Sequence, residues 1–274
     1  MIQRRATGEL TMKIQSPIFG SLCFIFTLAL WPLIGNAQAK ECAVILMHGK
    51  WGTPQFISFY GRRLAPICEV ETIEMPWSRN RNYDATYSVA IEEIAQQVGK
   101  FRQKGTRLVI VGGQSFGANA ALAYASTKGD VDGIIALAPG HVPSMMFHKF
   151  NLNTDTLPLA RQMIAAGQGG EKVSVRDFNQ GETRTIRMSA EVFLSYFDPE
   201  GLGNMTLTAR NYKKAIPTLM VIGTRDPLFQ TTKTNIFDRI PPHPKNEYRI
   251  VEAGHLDTPE AAVNLSLEWL KGLQ

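Results

Sequence analysis

Long runs of lysine and arginine are missing from this chain. The net charge is +5 over 274 residues, and Arg4, Arg5 and Lys13 against Glu9 supply +2 of it within the first 39, leaving +3 for the rest. That balance carries no nucleic-acid footprint. Metal and nucleotide spellings are missing as well. No H-E-x-x-H occurs, and His141 and His148, seven residues apart in an irregular stretch, lack the spacing of zinc ligands. Gly112-Gly113 and Gly117 hint at a dinucleotide loop, but the glutamine at position 114 breaks G-x-G-x-x-G, and there is no Walker-type G-K-[ST]. No cofactor and no metal are implied. Internal repeats and low-complexity segments are absent too. What remains, 44% hydrophobic and 19% charged residues, is an ordinary globular composition at a length that suits one large domain or two small ones.

The first 39 residues have the three parts of a secretory signal: a basic start, an apolar core from Ile18 to Trp31, and Ala37-Gln38-Ala39 as an A-x-A cleavage site. A membrane anchor fits less well, because Pro17, Gly20 and Pro32 interrupt a core already too short to span comfortably. Cleavage after Ala39 predicts a periplasmic or secreted protein with no stable membrane anchor. Met12 would also serve as a start.

Of three cysteines, Cys23 would leave with the signal, so the mature chain keeps Cys42 and Cys68. Each begins a strand-like run. If the two strands are parallel neighbours, both thiols lie at one end of the sheet and a disulfide is reasonable, closing a loop that contributes about 3 kcal/mol. Two reduced core cysteines are the alternative.

After the signal, strand and helix patterns alternate, which predicts an α/β domain over 40–274 with a mainly parallel sheet. Strands are expected at 42–47, 69–75, 108–111, 133–138, 218–222 and 248–251, with helices near 56–65 and 86–103 and a last one running from Asp257 to about Leu273. The block at about 141–216 breaks the alternation. It holds a helix near 157–167, a β-hairpin formed by 172–178 and 183–188, and an aromatic helix with Phe193, Tyr196 and Phe197. This pattern suits an insertion between core strands that serves as a lid.

The strand at 108–111 leads into Gly113-Gln114-Ser115-Phe116-Gly117, then into a helix rich in alanine. A strand turning directly into a helix strains its turn residue and crowds the neighbouring backbone. Glycine two positions either side removes the clashing Cβ atoms, and the serine stands above the sheet at the positive end of a helix. Other strand ends carry His48-Gly49-Lys50, Asp226 and His255. Functional residues of an open parallel sheet gather at those ends.

G-x-S-x-G between strand and helix, with Ser115, Asp226 and His255 in that chain order, resembles the α/β-hydrolase family of serine hydrolases. The resemblance covers residues 42–274 and implies an α/β-hydrolase fold: a mainly parallel central sheet flanked by helices, with a lid before the strand that carries the acid. It also implies roles. Ser115 is the nucleophile, His255 its base and then the acid for the leaving group, and Asp226 the group that orients the imidazole. The backbone N–H of Phe116 and an N–H after His48-Gly49, from Lys50 first and Trp51 second, hold the oxyanion. Asp226 has a duller reading as an Asp-Pro turn cap, and His48 reads as a structural partner of its loop. Trp51, Phe56, Trp77, Tyr83, Phe116, Phe147, Phe193 and Tyr196 are the aromatic candidates for the substrate pocket, Trp51, Trp77, Phe147 and Phe193 foremost, although aromatics in such places often only pack.

Three functions fit these residues. The first is an exported hydrolase acting on a small-molecule carboxylic ester or thioester. The second keeps the triad but cleaves an amide or a C–C bond. The third is a non-catalytic binding protein on the same scaffold, favoured if His255 lies beyond hydrogen-bond reach of Ser115.

Overall fold

A computed structural model describes residues 40–274. The expected signal segment and its cleavage site lie outside the described residues. Six strands form one sheet: β1 (Cys42–Met47), β2 (Glu69–Ile73), β3 (Leu108–Gln114), β4 (Gly133–Leu137), β7 (Thr218–Gly223) and β8 (Glu247–Val251). Their order is β2-β1-β3-β4-β7-β8, and every neighbouring pair is parallel. The runs CAVILM and TLMVIG are apolar without alternation because β1 and β7 are covered on both faces. The edge strands β2 and β8 are only half-buried and alternate in polarity accordingly.

Helices α1 (Gln55–Leu64), α2 (Tyr87–Gln103) and α3 (Phe116–Thr127) follow the first three strands. Thr86 caps α2 by accepting from the Val89 N–H, and Tyr87, Ala90, Ile91, Ile94, Val98 and Phe101 bury one stripe at helical spacing. Val89, expected on that stripe, is exposed. In α3 every residue from Phe116 to Ala125 is buried, so small side chains are needed on all sides.

Between β4 and β7, which pair directly, the chain leaves the sheet and returns. This segment contains α4 (Pro143–His148), α5 (Thr156–Ala165), an antiparallel hairpin of β5 (Lys172–Asn179) and β6 (Glu182–Ser189), α6 (Ala190–Phe197) and α7 (Met205–Arg210). Three helices have no counterpart in the sequence reading: α4, α7 and α8 (Phe229–Asn235), each only six or seven residues long. Short helices give too few turns for periodicity to register. The final helix divides at Ala262 into α9 (Thr258–Ala261) and α10 (Val263–Leu273).

Cys42 and Cys68 are joined by a disulfide. The register pairs Ala43 with Glu69, which sets the two preceding residues side by side. Among the described residues no helix is long and apolar enough to cross a membrane.

Candidate active site

Because all six strands run the same way, the segments that follow them collect along one edge of the sheet. Ser115 lies there between β3 and α3, at φ 57° and ψ −116°. A side chain rarely adopts this backbone, and it holds here because the surroundings fix it. Ser115 N–H donates to Leu137 O at 3.0 Å, while Ser115 O accepts from Asn119 N–H and Gly140 N–H, both at 3.1 Å. The flanking glycines are required by close approach to β1. A Cβ at Gly113 would lie 2.5 Å from Met47 O, and one at Gly117 would overlap the same carbonyl.

His255 and Asp226, 29 residues apart in sequence, meet at the same edge. His255 Nδ1 donates to Asp226 Oδ2 at 2.7 Å, and Asp226 Oδ1 accepts from Leu228 N–H at 2.8 Å, so the carboxylate is held from both sides. With Nδ1 engaged by the acid, Nε2 is the ring nitrogen that faces away from it. Gln114 Nε2 donates to the His255 carbonyl at 3.2 Å, tying the histidine loop to the serine turn. Among the described residues no hydrogen bond joins Ser115 Oγ to His255. The two nonetheless converge on Gly140: a Cβ there would lie 2.7 Å from Ser115 Oγ and 3.4 Å from His255 Cε1. Gln114, Asn119 and Gly140 are the supports the sequence reading missed. Only Asn119 left a signal, as the lone amide in a helix of alanines. Its side chain donates to the carbonyls of Gly140, His141 and Gly203.

The loop after β1 runs against the serine: a Cβ on Gly49 would lie 3.1 Å from Ser115 Cβ. Trp51 N–H donates to Trp77 O at 2.9 Å, which removes Trp51 as the second-choice oxyanion donor. Among the described residues no hydrogen bond engages the backbone N–H of Lys50 or of Phe116, and both residues line the cavity beside Ser115. His48 is placed as expected for a structural partner. Its Nδ1 donates to Gly49 O at 2.8 Å and its Nε2 accepts from Met75 N–H at 3.1 Å, and burial lowers its pKa below the ordinary histidine value.

Ser115, Phe116, Lys50, Asp226 and His255 border a cavity of about 420 Å³. Its apolar wall comes mainly from the inserted segment, through Met145, Met146, Phe150 and Phe178, together with Leu228. The aromatic pocket expected from the sequence is corrected in part: of its candidates Phe116 lines the cavity. Trp51, Trp77, Phe147 and Phe193 do not line this cavity. Trp77 is buried and stacks on the Phe116 ring at 4.6 Å, with its Nε1–H donating to His48 O. Phe193 stacks on Phe197 at 5.4 Å, Phe147 is buried in the core, and the Trp51 ring lies under the Arg184 guanidinium at 4.2 Å. His141 does line the cavity, stacked on Phe116 at 4.1 Å. Its Nε2 donates to Tyr196 O at 2.7 Å, its Nδ1 is buried without a partner, and desolvation holds its pKa well below the ordinary value.

A model of the alpha/beta hydrolase family matches residues 44–265. The chain belongs to the alpha/beta hydrolase family. Solved hydrolases share its fold at low identity. A structure of the metagenome-derived lipolytic enzymes LipS and LipT is 16% identical with a TM-score of 0.57, over 85% of this chain and 95% of that one. The Paleococcus ferrophilus monoacylglycerol lipase is 17% identical with a TM-score of 0.58, over 86% and 96%. The thioesterase domain from the curacin biosynthetic pathway is 16% identical with a TM-score of 0.51, over 83% and 90%. No curated protein matches the chain. This hydrolase is thus related in fold to lipases, esterases and thioesterases.

Proposed function

We propose that this chain is an exported serine hydrolase that cleaves a carboxylic ester or thioester through an acyl-enzyme on Ser115. The supporting observation is that Ser115 and the His255–Asp226 pair line one cavity, with the imidazole held at 2.7 Å by the acid. Ser115 Oγ attacks the acyl carbon and its proton passes to His255 Nε2. Asp226 keeps the ring in the tautomer that can accept it and favours the imidazolium that forms. The negative oxygen is received by the N–H groups of Phe116 and Lys50, each such donor contributing about 3 kcal/mol to the transition state. His255 then returns the proton to the departing alcohol or thiol, and water repeats the sequence on the acyl-enzyme. The acyl group lies along Met145, Met146, Phe150 and Phe178, so the inserted segment acts as a lid that supplies the apolar wall.

Fluorophosphonate labelling, followed by peptide mapping, is expected to mark Ser115, and Ser115→Ala is expected to end turnover across a panel of esters and amides of varied acyl length. Full ester turnover in that variant would sink the reading. Amide turnover without ester turnover would move the assignment to the second chemistry.

The absence of a Ser115–His255 hydrogen bond favours a second reading, a binding protein on the hydrolase scaffold. Rotation of the serine about χ1 is a small adjustment, and catalytic hydrogen bonds often tighten only when substrate arrives. An unlabelled Ser115 in a folded protein would establish the binding reading. Export is supported by the tripartite N-terminus and by the Cys42–Cys68 bridge, which suits an oxidising compartment. Intact mass of the protein recovered from cells is expected to fit a chain starting at Lys40 with two hydrogens missing.

A further inference from the structure

The hairpin carries a carboxylate that the proposed chemistry does not use. Asp177, on β5, is fully buried. It accepts from Lys50 Nζ at 2.6 Å on Oδ1, and from Trp51 Nε1 and Tyr83 OH at 2.8 Å each on Oδ2. The same strand makes two further bonds to residue 50. Lys50 Nζ donates to Phe178 O at 3.1 Å, and Asn179 Nδ2 donates to Lys50 O at 3.3 Å. Four of these five bonds therefore end on Lys50 or Trp51, more than 120 residues away in sequence.

A loop held this firmly is unusual, since connecting segments are normally the mobile part of a fold. This one also carries strain. Trp51 has φ 58°, in the left-handed region that a bulky side chain avoids, and such a conformation persists only where contacts outside the loop impose it. Its indole N–H on Asp177 is one such contact. Stability alone gives no reason for a charged pair here, because apolar residues of the same volume generally serve a core as well or better. What the pair supplies is a fixed position for both residues. The Lys50 ammonium is engaged by Asp177 and Phe178, while residue 50 borders the cavity beside Ser115 and its backbone N–H has no hydrogen-bond partner among the described residues.

We propose that Asp177 is a positioning residue: from the inserted hairpin it fixes the loop after β1 so that the Lys50 N–H points at the oxyanion site. The insertion then completes the catalytic site as well as covering it. This rests on the ester-hydrolase reading above.

The test uses Asp177→Asn and Trp51→Phe in the mature chain. Three quantities are measured: kcat per titrated active site on a p-nitrophenyl ester, KM, and affinity for a phenylboronic acid, which becomes a tetrahedral anion on serine. Asp177→Asn removes the charge and, whichever way the amide turns, sets an N–H against a donor, Lys50 Nζ on one side or Trp51 and Tyr83 on the other; it is expected to lower kcat about 100-fold, the loss associated with one misplaced oxyanion donor. Boronate affinity should fall in proportion while KM stays within about two-fold, the pattern of an interaction made only in the transition state. Trp51→Phe, which deletes one donor and leaves the charge pair intact, is expected to lose about ten-fold in kcat and in boronate affinity, and it carries the test if Asp177→Asn does not fold. Wild-type kcat and boronate affinity in a folded Asp177→Asn or Trp51→Phe chain overturn the proposal, as does a change confined to KM. Failure of the underlying reading looks different. The wild-type protein itself would then show neither ester turnover nor boronate binding, and the positioning role would fall with it.

Discussion

Alanine at position 140 is expected to silence this hydrolase while barely unfolding it. Gly140 lies in the turn after β4 and donates its N–H to Ser115 O. Its backbone is outside the left-handed region, so alanine adds no strain of its own there. The added Cβ would sit 2.7 Å from Ser115 Oγ, about 0.7 Å inside ordinary van der Waals contact. The serine hydroxyl is the softest neighbour and moves first. Clearing 0.7 Å by twisting χ1 about 30° off its rotamer costs about 0.5–1.5 kcal/mol, which for a domain of this size is a fall of about 1–6 °C in Tm. The consequence for chemistry is much larger. An attacking oxygen displaced by most of an ångström loses about 100-fold in rate, equivalent to about 2.7 kcal/mol of transition-state stabilisation. Differential scanning fluorimetry and ester turnover per titrated serine read the two effects separately. Gly140→Ala with wild-type kcat/KM would refute the convergence of Ser115 and His255 on this glycine. Gly117→Ala is the contrasting control. Its Cβ would collide with three atoms of Met47 on β1, none able to retreat, and the variant is expected to fail to accumulate as folded protein.

Ser115→Gly should be inactive yet more stable than the parent by about 1–2 kcal/mol, because glycine relieves the cost of φ 57° at the turn; an unchanged or lower Tm would contradict that strain. Replacing both Cys42 and Cys68 with alanine removes a cross-link over 26 residues and is expected to cost about 3.5 kcal/mol by loop entropy, read as an earlier urea midpoint and contradicted by a midpoint within error of the parent. Stability should also fall in mild acid. His48 and His141 have pKa values depressed by burial, so the unfolded chain takes up protons near pH 6.5 that the folded chain refuses. Their contribution is intact above that pH and is lost below it at up to about 1.4 kcal/mol per pH unit for each histidine. Urea unfolding at pH 7.5 and 5.5 measures it, and equal stability at the two would mean that neither ring is buried in its neutral form.

The parts of this molecule that were readable in the sequence are those in which one local pattern has one physical solution. The apolar runs of β1, β3 and β7 admit little besides doubly covered strands, and a serine between glycines at a strand-to-helix junction admits little besides the turn that is found. Parallel strands then bring Ser115, Asp226 and His255 to one edge whatever the loops do. The cavity wall was not readable in this way. Trp77, after a strand, and Phe193, in the inserted block, read as pocket residues because they are large aromatics, but a ring gains more from stacking at 4.6 or 5.4 Å on another ring than from lining a space. The wall falls instead to Phe150, Phe178 and two methionines, Met145 and Met146, the last two on a helix of six residues whose pattern is too brief to see.

Asp177 lies between these cases. Val173, Val175 and Asp177 alternate with Lys172, Ser174 and Arg176, so the period-two pattern of β5 already puts a carboxylate on the buried face, against the rule that a strand turns its charges outward. A buried carboxylate must find a cation and further donors, because leaving it unpaired costs several kcal/mol. The pattern therefore announces that a partner exists. It does not name it, since burial is set by neighbours along a strand while the partner, Lys50, is brought in by the tertiary fold from 127 residues away. The lysine gives no local sign either: in its own segment, His48-Gly49-Lys50-Trp51, it reads as an ordinary loop residue. A buried charge in an alternating strand and a lysine whose own backbone N–H is a proposed oxyanion donor are each weak signals alone, and they become one argument only when the fold sets their side chains 2.6 Å apart.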